Sequence, residues 1–398
     1  MASNVGFVCL GIVKLLFFNG LYFIATILTI KGFCVSNLLP GLFICATITR
    51  RPGGATAEGD TMAIDAQIRC RNIWKVFGAD PDGFMQRHDG NPTAGDLARE
   101  GYIGAVRDVS FDVHQGEILI IMGLLGSGKS TIIRCITRLN DPTTGEVEYE
   151  GRDLLKATPQ ELIDIRRHKM GMVFQSFGLL PHRTVLSNVA FPLEVQNLDQ
   201  MEREKRAMEM IELVGLGGRE NYFPRELSGG QQQRVGIARS LAVEPDIWFL
   251  DEPFSALDPL IRAEMQDEFI RLQQMLKKTI VFITHDFEEA TKLADRIGIM
   301  KDGQMVQLCT PEEMVLNPAD DYVAAFAQNA PRDRIVSAAA IMEKTKLKTP
   351  RKVTGACVPA SAKIGTIAEQ VIGSDKPTPV TDKDGYLLGH VDRERITK

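Results

Sequence analysis

The sequence predicts an α/β fold, and three observations support this prediction. From Ala63 onward, short apolar runs typical of strands alternate with segments of helical spacing. The apolar run 117–122 ends in a glycine-rich turn that leads into a helix. A second apolar run, 247–250, is followed directly by two carboxylates, so a strand delivers acidic side chains at its C-terminal end.

Composition and charge exclude several classes of protein. The 398 residues are 44% hydrophobic and 24% charged, with a formal net charge of -5, which is typical of a globular protein and does not favour a nucleic-acid partner. The seven cysteines are scattered singly, without CxxC pairs or a dense disulfide framework. We therefore expect a reducing, cytoplasmic setting in which the cysteines act as small buried hydrophobic residues.

Residues 1–61 form a hydrophobic N-terminal extension. The first acidic residue is Glu58, and the uncharged runs 15–30 and 32–49 both fall short of the roughly 18–20 apolar residues that cross a bilayer comfortably. An export signal is disfavoured, because no exported domain is predicted downstream. Two interpretations remain open: a weak anchor, or translated sequence ahead of a start at Met62. The second is favoured, because Met62 directly precedes the first predicted strand.

Three further segments complete the predicted organisation. Strands are predicted at 66–71, 106–113 and 117–122 within a main domain that spans 62–340. The segment 158–235 has helical spacing and acidic–basic pairs, which predicts a helical subdomain inserted into that domain. After Ala330 the composition shifts, and a basic stretch within 344–352 is predicted to link to a small final module, so that 341–398 form the linker and module.

The string GLLGSGKST at 123–131 matches the phosphate-binding pattern G-x-x-x-x-G-K-[ST] in its required place, after a strand and before a helix. Glycines let backbone N–H groups turn inward around phosphates, and the helix start favours the anion. We expect Lys129 to contact the β- and γ-phosphates of ATP and Ser130 to ligate Mg²⁺. The other residues predicted to bind the nucleotide here are Gly123, Gly126, Ser127, Gly128 and Thr131.

The string IWFLDEP at 247–253 predicts the second half of the site. Asp251, at the end of the apolar strand, is placed to hold the Mg²⁺ of the bound nucleotide. Glu252 follows it and is predicted to be the general base that polarises the attacking water.

The string LSGGQQQR at 227–234 is a glycine-containing turn entering a helix, where Ser228, Gly229, Gly230 and Gln231 can meet an anion. This string is the signature of the ABC-transporter ATPases, and the chain resembles that family over 63–336. The resemblance implies a P-loop NTPase (RecA-like) core with an antiparallel β subdomain and an inserted helical subdomain. It also implies a head-to-tail homodimer in which one chain's phosphate loop faces the partner's signature.

Further roles follow from the resemblance, residue by residue. Gln175 in VFQSFGLLPH resembles the glutamine that contacts Mg²⁺ and the attacking water beside the transmembrane subunit. His285 in ITHD resembles the histidine that senses the γ-phosphate, and Asp258 closes SALD, which resembles the loop that couples the two sites. Phe77 in KVFG fits the adenine-stacking aromatic. The long segment 79–102 leaves Trp74 and Tyr102 as alternatives.

Longer strings, among them TVLSNVAFPLEV and FSALDPLIRAEMQDE, resemble the ATPase subunit of glycine betaine/proline (quaternary amine) importers. That resemblance implies transmembrane permease subunits as partners, a solute-binding protein acting indirectly, no nucleic acid, and a peripheral position on the cytoplasmic face of the inner membrane. Leu125 stands where the subfamily commonly has a serine. We expect little loss of activity from this difference, because the backbone makes most phosphate contacts.

The subfamily carries a pair of CBS repeats after the ATPase, whereas 357–398 resemble a single small α+β CBS-like unit. A folded cap without regulatory function is the alternative for this unit. For the whole chain, the alternatives are the ATPase of an importer for another solute and a soluble nucleic-acid-associated ABC ATPase. The latter proteins generally carry two cassettes or a long coiled-coil insertion.

Overall fold

The computed structural model describes residues 14–18, 21–25, 66–328, 330–345, 351–374 and 376–397. The chain divides into two compact units, Met1–Thr61 and Met62–Lys398. In the first, β1 (Lys14–Phe18) and β2 (Leu21–Ala25) form an antiparallel hairpin. The remainder of the two hydrophobic runs, and Met62, lie outside the described residues. Within the described ranges, no helix is long and apolar enough to cross a membrane.

A six-stranded sheet forms the centre of the second unit. Its strands are β5 (Ile118–Met122), β8 (Met170–Val173), β9 (Ile247–Asp251), β10 (Thr279–Thr284), β11 (Arg296–Lys301) and β12 (Gln304–Cys309). The spatial order is β12-β11-β5-β10-β9-β8, and every neighbouring pair is parallel except β11 and β12. The carboxyl ends of β5, β9 and β10 therefore meet at one edge, where parallel sheets bind ligands.

Both faces of this sheet are buried, which explains why its strands are continuous apolar runs. Side chains alternate across a strand, so Leu119 and Ile121 of β5 enter one hydrophobic core while Ile120 and Met122 enter another. The other central strands divide between the same two cores.

An antiparallel sheet and two helices cover one face. The sheet has the order β4-β3-β6-β7 and consists of β3 (Ala66–Phe77), β4 (Ile103–His114), β6 (Thr144–Tyr149) and β7 (Arg152–Asp153). The helices are α3 (Lys129–Ile136) and α4 (Pro159–His168). Cys70 and Cys135 are buried and unpaired in this core, as predicted, whereas Cys309 and Cys357 elsewhere in the chain are unpaired but only partly buried. Burial raises the pKa of both thiols, that of Cys135 to about 12.

Helices cover the other face. They are α5 (Val185–Val195), α6 (Gln200–Leu213), α7 (Gly229–Leu241), α8 (Pro259–Leu276) and α9 (Phe287–Leu293), with a 3-10 turn at Pro224–Glu226. The segment predicted to be helical, 158–235, also contains β8, which pairs with β9 in the central sheet. Four residues are too short a run to reveal a strand between charged helical segments.

The long segment 79–102 is folded onto the antiparallel sheet. It forms α1 (Pro81–Arg87) and α2 (Ala94–Glu100), and α2 begins with a capping box between Thr93 and Asp96. Phe84, Met85 and Leu97 pack around Trp74 in a separate small core. The segment is therefore a two-helix insertion with a core of its own.

After residue 310, the described residues form six helices and a four-stranded sheet. The helices are α10 (Pro311–Leu316), α11 (Asp321–Ala327), α12 (Arg332–Ile335), α13 (Ala338–Ile341), α14 (Ile364–Ile372) and α15 (Arg393–Thr397). The sheet has the order β13-β16-β15-β14, from β13 (Glu343–Lys344), β14 (Val358–Pro359), β15 (Thr378–Thr381) and β16 (Leu387–Val391). The strand, turn and strand predicted around 382–385 are present.

The basic stretch predicted as a linker is partly built into this sheet. Lys344 of β13 pairs with Gly389, and Lys352 forms a bridge with Tyr386. Ala338 contributes to the core of the module, so the module begins before residue 341. Lys346 and Lys348 lie outside the described residues. An edge strand tolerates lysines because their side chains stay in solvent while the backbone pairs, which composition alone does not reveal.

Removal of residues 1–61 is expected to leave ATP hydrolysis unchanged, because the complete α/β unit lies in Met62–Lys398. The rate of phosphate release by a chain starting at Met62, compared with that of the full chain, checks this. Loss of complex assembly or of transport on deletion would favour a genuine anchor instead.

Candidate active site

A loop between β5 and α3 forms a cradle for an anion. Gly123 and Gly128 have φ values of 151° and 100°. A Cβ on Gly123 would lie 2.2 Å from the carbonyl oxygen of Met300, and one on Gly128 would lie 2.2 Å from that of Ala105. No side chain caps the first turn of α3, and Ser127 Oγ is buried without a hydrogen-bond partner in the described chain. These features fit a phosphate group at the helix N-terminus. Leu125 is almost fully exposed.

Lys129 lies buried inside this loop. Its ammonium donates hydrogen bonds to the carbonyl oxygens of Gly123 (2.9 Å) and Leu124 (3.1 Å) and lies 3.9 Å from Glu252 Oε1. Burial lowers its pKa, because the charged form loses hydration. Among the described residues, only carbonyl oxygens and one distant carboxylate hold this buried cation, so it is well placed to bind an anionic ligand.

Asp251 ends β9 beside the start of α3. The Ser130 hydroxyl donates to Asp251 Oδ1 at 2.9 Å, and Arg134 lies 3.9 Å from the other carboxylate oxygen. Burial raises the pKa of Asp251, and the hydrogen bond from Ser130 opposes that change. A carboxylate and a hydroxyl oxygen suit Mg²⁺, which commonly takes its other ligands from water and substrate phosphates. The described residues contain no cluster of three or more acidic, His or Cys side chains that could hold a metal alone.

Three polar side chains converge on the carboxylate of Glu252. Gln175 Nε2 donates to Glu252 Oε2 at 3.3 Å, His285 Nδ1 lies 3.3 Å from the same oxygen, and Lys129 lies near Oε1. Glu252 has a φ of 46°, which is uncommon for a residue with a side chain, and its N–H donates to the carbonyl of Ile283. Such strain is often found at functional sites. The residues predicted for water activation and phosphate sensing are therefore brought together.

Beneath His285 lies a polar cluster that sequence reasoning missed. Arg262 of α8 pairs with Asp286 at 3.6 Å, and Asp286 caps α9. Glu289 is buried and accepts a hydrogen bond from Gln266, and burial raises its pKa to about 7. The sequence around Glu289 gave no signal for burial, since glutamate is usually exposed.

The signature turn lies on the helical layer. Ser228 caps α7 and exchanges hydrogen bonds with Gln231, while Ser228 and Gly229 are exposed. A Cβ on Gly230 would lie 2.5 Å from Ile261 Cγ2, so this turn packs closely on the start of α8. Asp258 is the exposed N-cap of α8 and accepts from the N–H of Ile261. The structure therefore brings the signature and SALD segments together at one surface.

Phe77 ends β3 with its ring 43% exposed. It pairs with Ile103 of β4, and Ala105 of the same strand lies against Gly128 of the phosphate loop. Trp74 is buried, and Tyr102 stacks on Phe84 with ring centroids 4.2 Å apart. Among the three aromatic candidates, Phe77 has the most accessible ring beside the loop.

Phe77→Ala is expected to raise the KM for ATP by about tenfold, because stacking of a base on an aromatic ring contributes about 1–3 kcal/mol. Phe77→Tyr should keep the wild-type KM. Steady-state hydrolysis measurements check both variants against Tyr222→Ala, which removes an equally exposed ring from the helical layer. An unchanged KM in Phe77→Ala would show that another residue holds the base.

The chain is similar to the ATP-binding proteins of known transport systems. The model of the family described as "ABC transporter" matches residues 106–255. The chain is 56% identical over 328 residues to the trimethylamine N-oxide transport system ATP-binding protein TmoW of Ruegeria pomeroyi, covering 82% of this chain and 95% of that protein. It is 46% identical over 295 residues to the glycine betaine/proline betaine transport system ATP-binding protein ProV of Escherichia coli, covering 74% and 73%.

The fold also resembles a solved structure, the dimeric post-hydrolysis state of the ATP-binding cassette MJ0796 bound to ADP and Pi. The TM-score is 0.52 at 35% sequence identity, and the match covers 61% of this chain and 98% of that one. The part of the chain that it covers is similar to a nucleotide-binding cassette.

Proposed function

The chain belongs to the ABC transporter ATP-binding proteins, and on that premise we propose that it drives the import of a methylated amine. It binds nucleotide and hydrolyses ATP, as family membership establishes. The observation that carries the proposed solute class is the 56% identity to the trimethylamine N-oxide protein, with glycine betaine proteins next at 46%. Trimethylamine N-oxide is therefore the first candidate, followed by glycine betaine and proline betaine.

Each residue around the phosphate loop has a defined part in the proposed reaction. Backbone N–H groups of the loop and of the first turn of α3 hold the phosphates, with Gly123, Gly126, Ser127, Gly128 and Thr131 forming that surface. Lys129 exchanges its carbonyl partners for oxygens of the β- and γ-phosphates.

Three residues would act on the attacking water and the γ-phosphate. Glu252 accepts a proton from the attacking water, and Gln175 orients that water. His285 donates a hydrogen bond to the γ-phosphate as negative charge develops. Phe77 stacks on adenine.

Ser130, Asp251 and Gln175 are the residues that would hold Mg²⁺ with the nucleotide. The hydrogen bond between Ser130 and Asp251 supports this, since it places two oxygen donors together beside the phosphate cradle. When bound, Mg²⁺ neutralises charge on the phosphate oxygens.

A head-to-tail homodimer would complete the site. Ser228, Gly229 and Gln231 lie at an exposed helix start that can meet the γ-phosphate held by a second copy. Asp258 lies next to this turn and would join the two sites across the dimer. In this proposal each chain supplies the phosphate loop of one site and the signature of the other.

A groove on the helical layer is the proposed contact for the permease. It has a volume of about 420 Å³, and its lining includes Phe174, Leu180, Phe191 and Val195. Phe174 directly precedes Gln175, so the groove adjoins the catalytic cluster along the chain. An apolar helix from a membrane subunit fits such a groove. In this proposal the chain binds peripherally on the cytoplasmic face of the membrane, and the solute-binding protein acts on the far side.

Val195→Lys is expected to abolish copurification with the permease subunits, because it places a charge on the apolar wall of the groove. ATP hydrolysis by the isolated chain should persist. The matched control is Met201→Lys, which adds the same charge at a highly exposed position on α6. Equal permease recovery with both variants would contradict the proposed contact.

The solute is tested by affinity purification of the intact complex from its native membrane, followed by identification of its subunits. ATP hydrolysis by the complex, with its solute-binding protein, is then measured with trimethylamine N-oxide, glycine betaine, proline or no solute. Stimulation by a methylated amine supports the proposal. Stimulation only by proline, which is not a methylated amine, would assign the importer to a different class of solute.

A further inference from the structure

We infer that Arg239 is a positioning residue that ties the catalytic Gln175 loop to the signature helix, so that both respond together to a subunit in the groove. This inference rests on the proposed function, because it concerns how docking in the groove reaches the site. Arg239 lies near the C-terminal end of α7, whose N-terminal end carries Ser228. Neither the phosphate-loop pattern nor the signature string includes Arg239.

The guanidinium of Arg239 binds two consecutive carbonyl groups of the Gln175 loop. Nη1 donates to the carbonyl of Gly178 at 2.6 Å, and Nη2 donates to that of Phe177 at 3.0 Å. The described part of the chain provides no carboxylate partner for this charge. Burial lowers the pKa of Arg239, because the charged form loses hydration.

The two residues held in this way have an uncommon backbone conformation. Phe177 and Gly178 have φ values of 58° and 59°, both in the left-handed region. A bulky residue keeps such a conformation only where its surroundings enforce it. The carbonyl of Phe177 also faces α7, where a Cβ on Gly236 would lie 3.6 Å from it. The loop is therefore shaped against α7, with Arg239 as its polar attachment.

The same loop joins the groove to the catalytic cluster. Phe174 and Gly178 line the groove together with Arg239, and Gln175 between them donates to Glu252. A subunit that enters the groove must contact this attachment. Because Arg239 belongs to α7, a displacement of the Gln175 loop also moves this helix, which presents Ser228. One contact would thus change both the chain's own site and the site that it completes in its partner.

Arg239→Gln is expected to lower the ratio of solute-stimulated to basal ATP hydrolysis in the reconstituted complex by at least about fivefold, the lower range of coupling between sites. Arg239→Lys should give an intermediate ratio, because lysine keeps the charge but lacks the planar fork. The matched control is Arg206→Gln. Arg206 also donates to a backbone carbonyl, that of Ala242 at the end of α7, but not to the Gln175 loop. The ratio of solute-stimulated to basal ATP hydrolysis in Arg206→Gln should equal that of wild type.

Amide hydrogen exchange of the isolated full chain separates positioning from general stability. In Arg239→Gln, amides of 174–180 should exchange faster while those of the central strands do not change. Parallel losses of basal and stimulated hydrolysis with faster exchange throughout the chain would overturn the inference in favour of a purely structural role. Unchanged exchange at 174–180 would also overturn it. If trimethylamine N-oxide and glycine betaine fail to stimulate even the wild-type complex, the proposed solute class fails, and the exchange measurement still decides the role of Arg239.

Discussion

Glu252→Gln is expected to reduce ATP hydrolysis by about 10²–10⁴-fold, the usual contribution of a general base. Glutamine keeps the shape of the side chain and can still contact Gln175 and His285, but it cannot accept a proton from water. ATP binding should remain, because Lys129 and the phosphate loop are unchanged. The variant should therefore accumulate as an ATP-bound dimer, detected by light scattering during size-exclusion chromatography.

The matched control for this variant is Glu209→Gln, which makes the same change at an exposed position on α6. It should hydrolyse ATP at the wild-type rate and show no ATP-dependent dimer trapping. If Glu252→Gln hydrolyses ATP as fast as Glu209→Gln, the assignment of Glu252 as general base is wrong.

Lys129→Ala is expected to weaken ATP binding by about 10²–10⁴-fold. A hydrogen bond from a charged donor contributes about 1.5–3 kcal/mol, and each 1.4 kcal/mol is about tenfold in affinity. The variant loses two such donors to phosphate, since the ammonium lies inside the loop. Fluorescent nucleotide titration measures the affinity, and thermal unfolding shows whether the loop still folds.

Lys292→Ala is the control for this second variant, because Lys292 pairs with Asp267 at the surface of α9 and α8. Its nucleotide affinity should match wild type. Equal affinities for Lys129→Ala and Lys292→Ala, with both proteins folded, would mean that the phosphates bind elsewhere.

The local parts of the site could be predicted from the sequence because their geometry is local. A strand, a glycine-rich turn and a helix start fix the phosphate loop within a dozen residues, and the apolar strand before Asp251 fixes its place at the sheet edge. The convergence of Gln175 and His285 on Glu252 depends on strand order. The roles of Gln175 and His285 were therefore predicted from the family resemblance and not from residue spacing.

The remaining features depend on contacts that a linear pattern does not contain. Arg239 binds backbone carbonyl groups of a loop about 60 residues away in sequence, and any residue type provides such carbonyls. The burial of Glu289 depends on how α8 packs on α9. The basic stretch was predicted to be a linker because its lysines indicate exposure to solvent. Pairing at the edge of a sheet uses only the backbone, so lysine side chains can stay in solvent while the chain pairs.

ATP hydrolysis with Glu252 as general base is proposed to drive solute import. Solute uptake by reconstituted vesicles tests this most directly. The purified complex is placed in proteoliposomes with ATP on the side of this chain, and labelled trimethylamine N-oxide is supplied with the solute-binding protein on the other side. We expect accumulation that requires ATP and is abolished by Glu252→Gln. Accumulation that proceeds equally with Glu252→Gln, or without ATP, would contradict it.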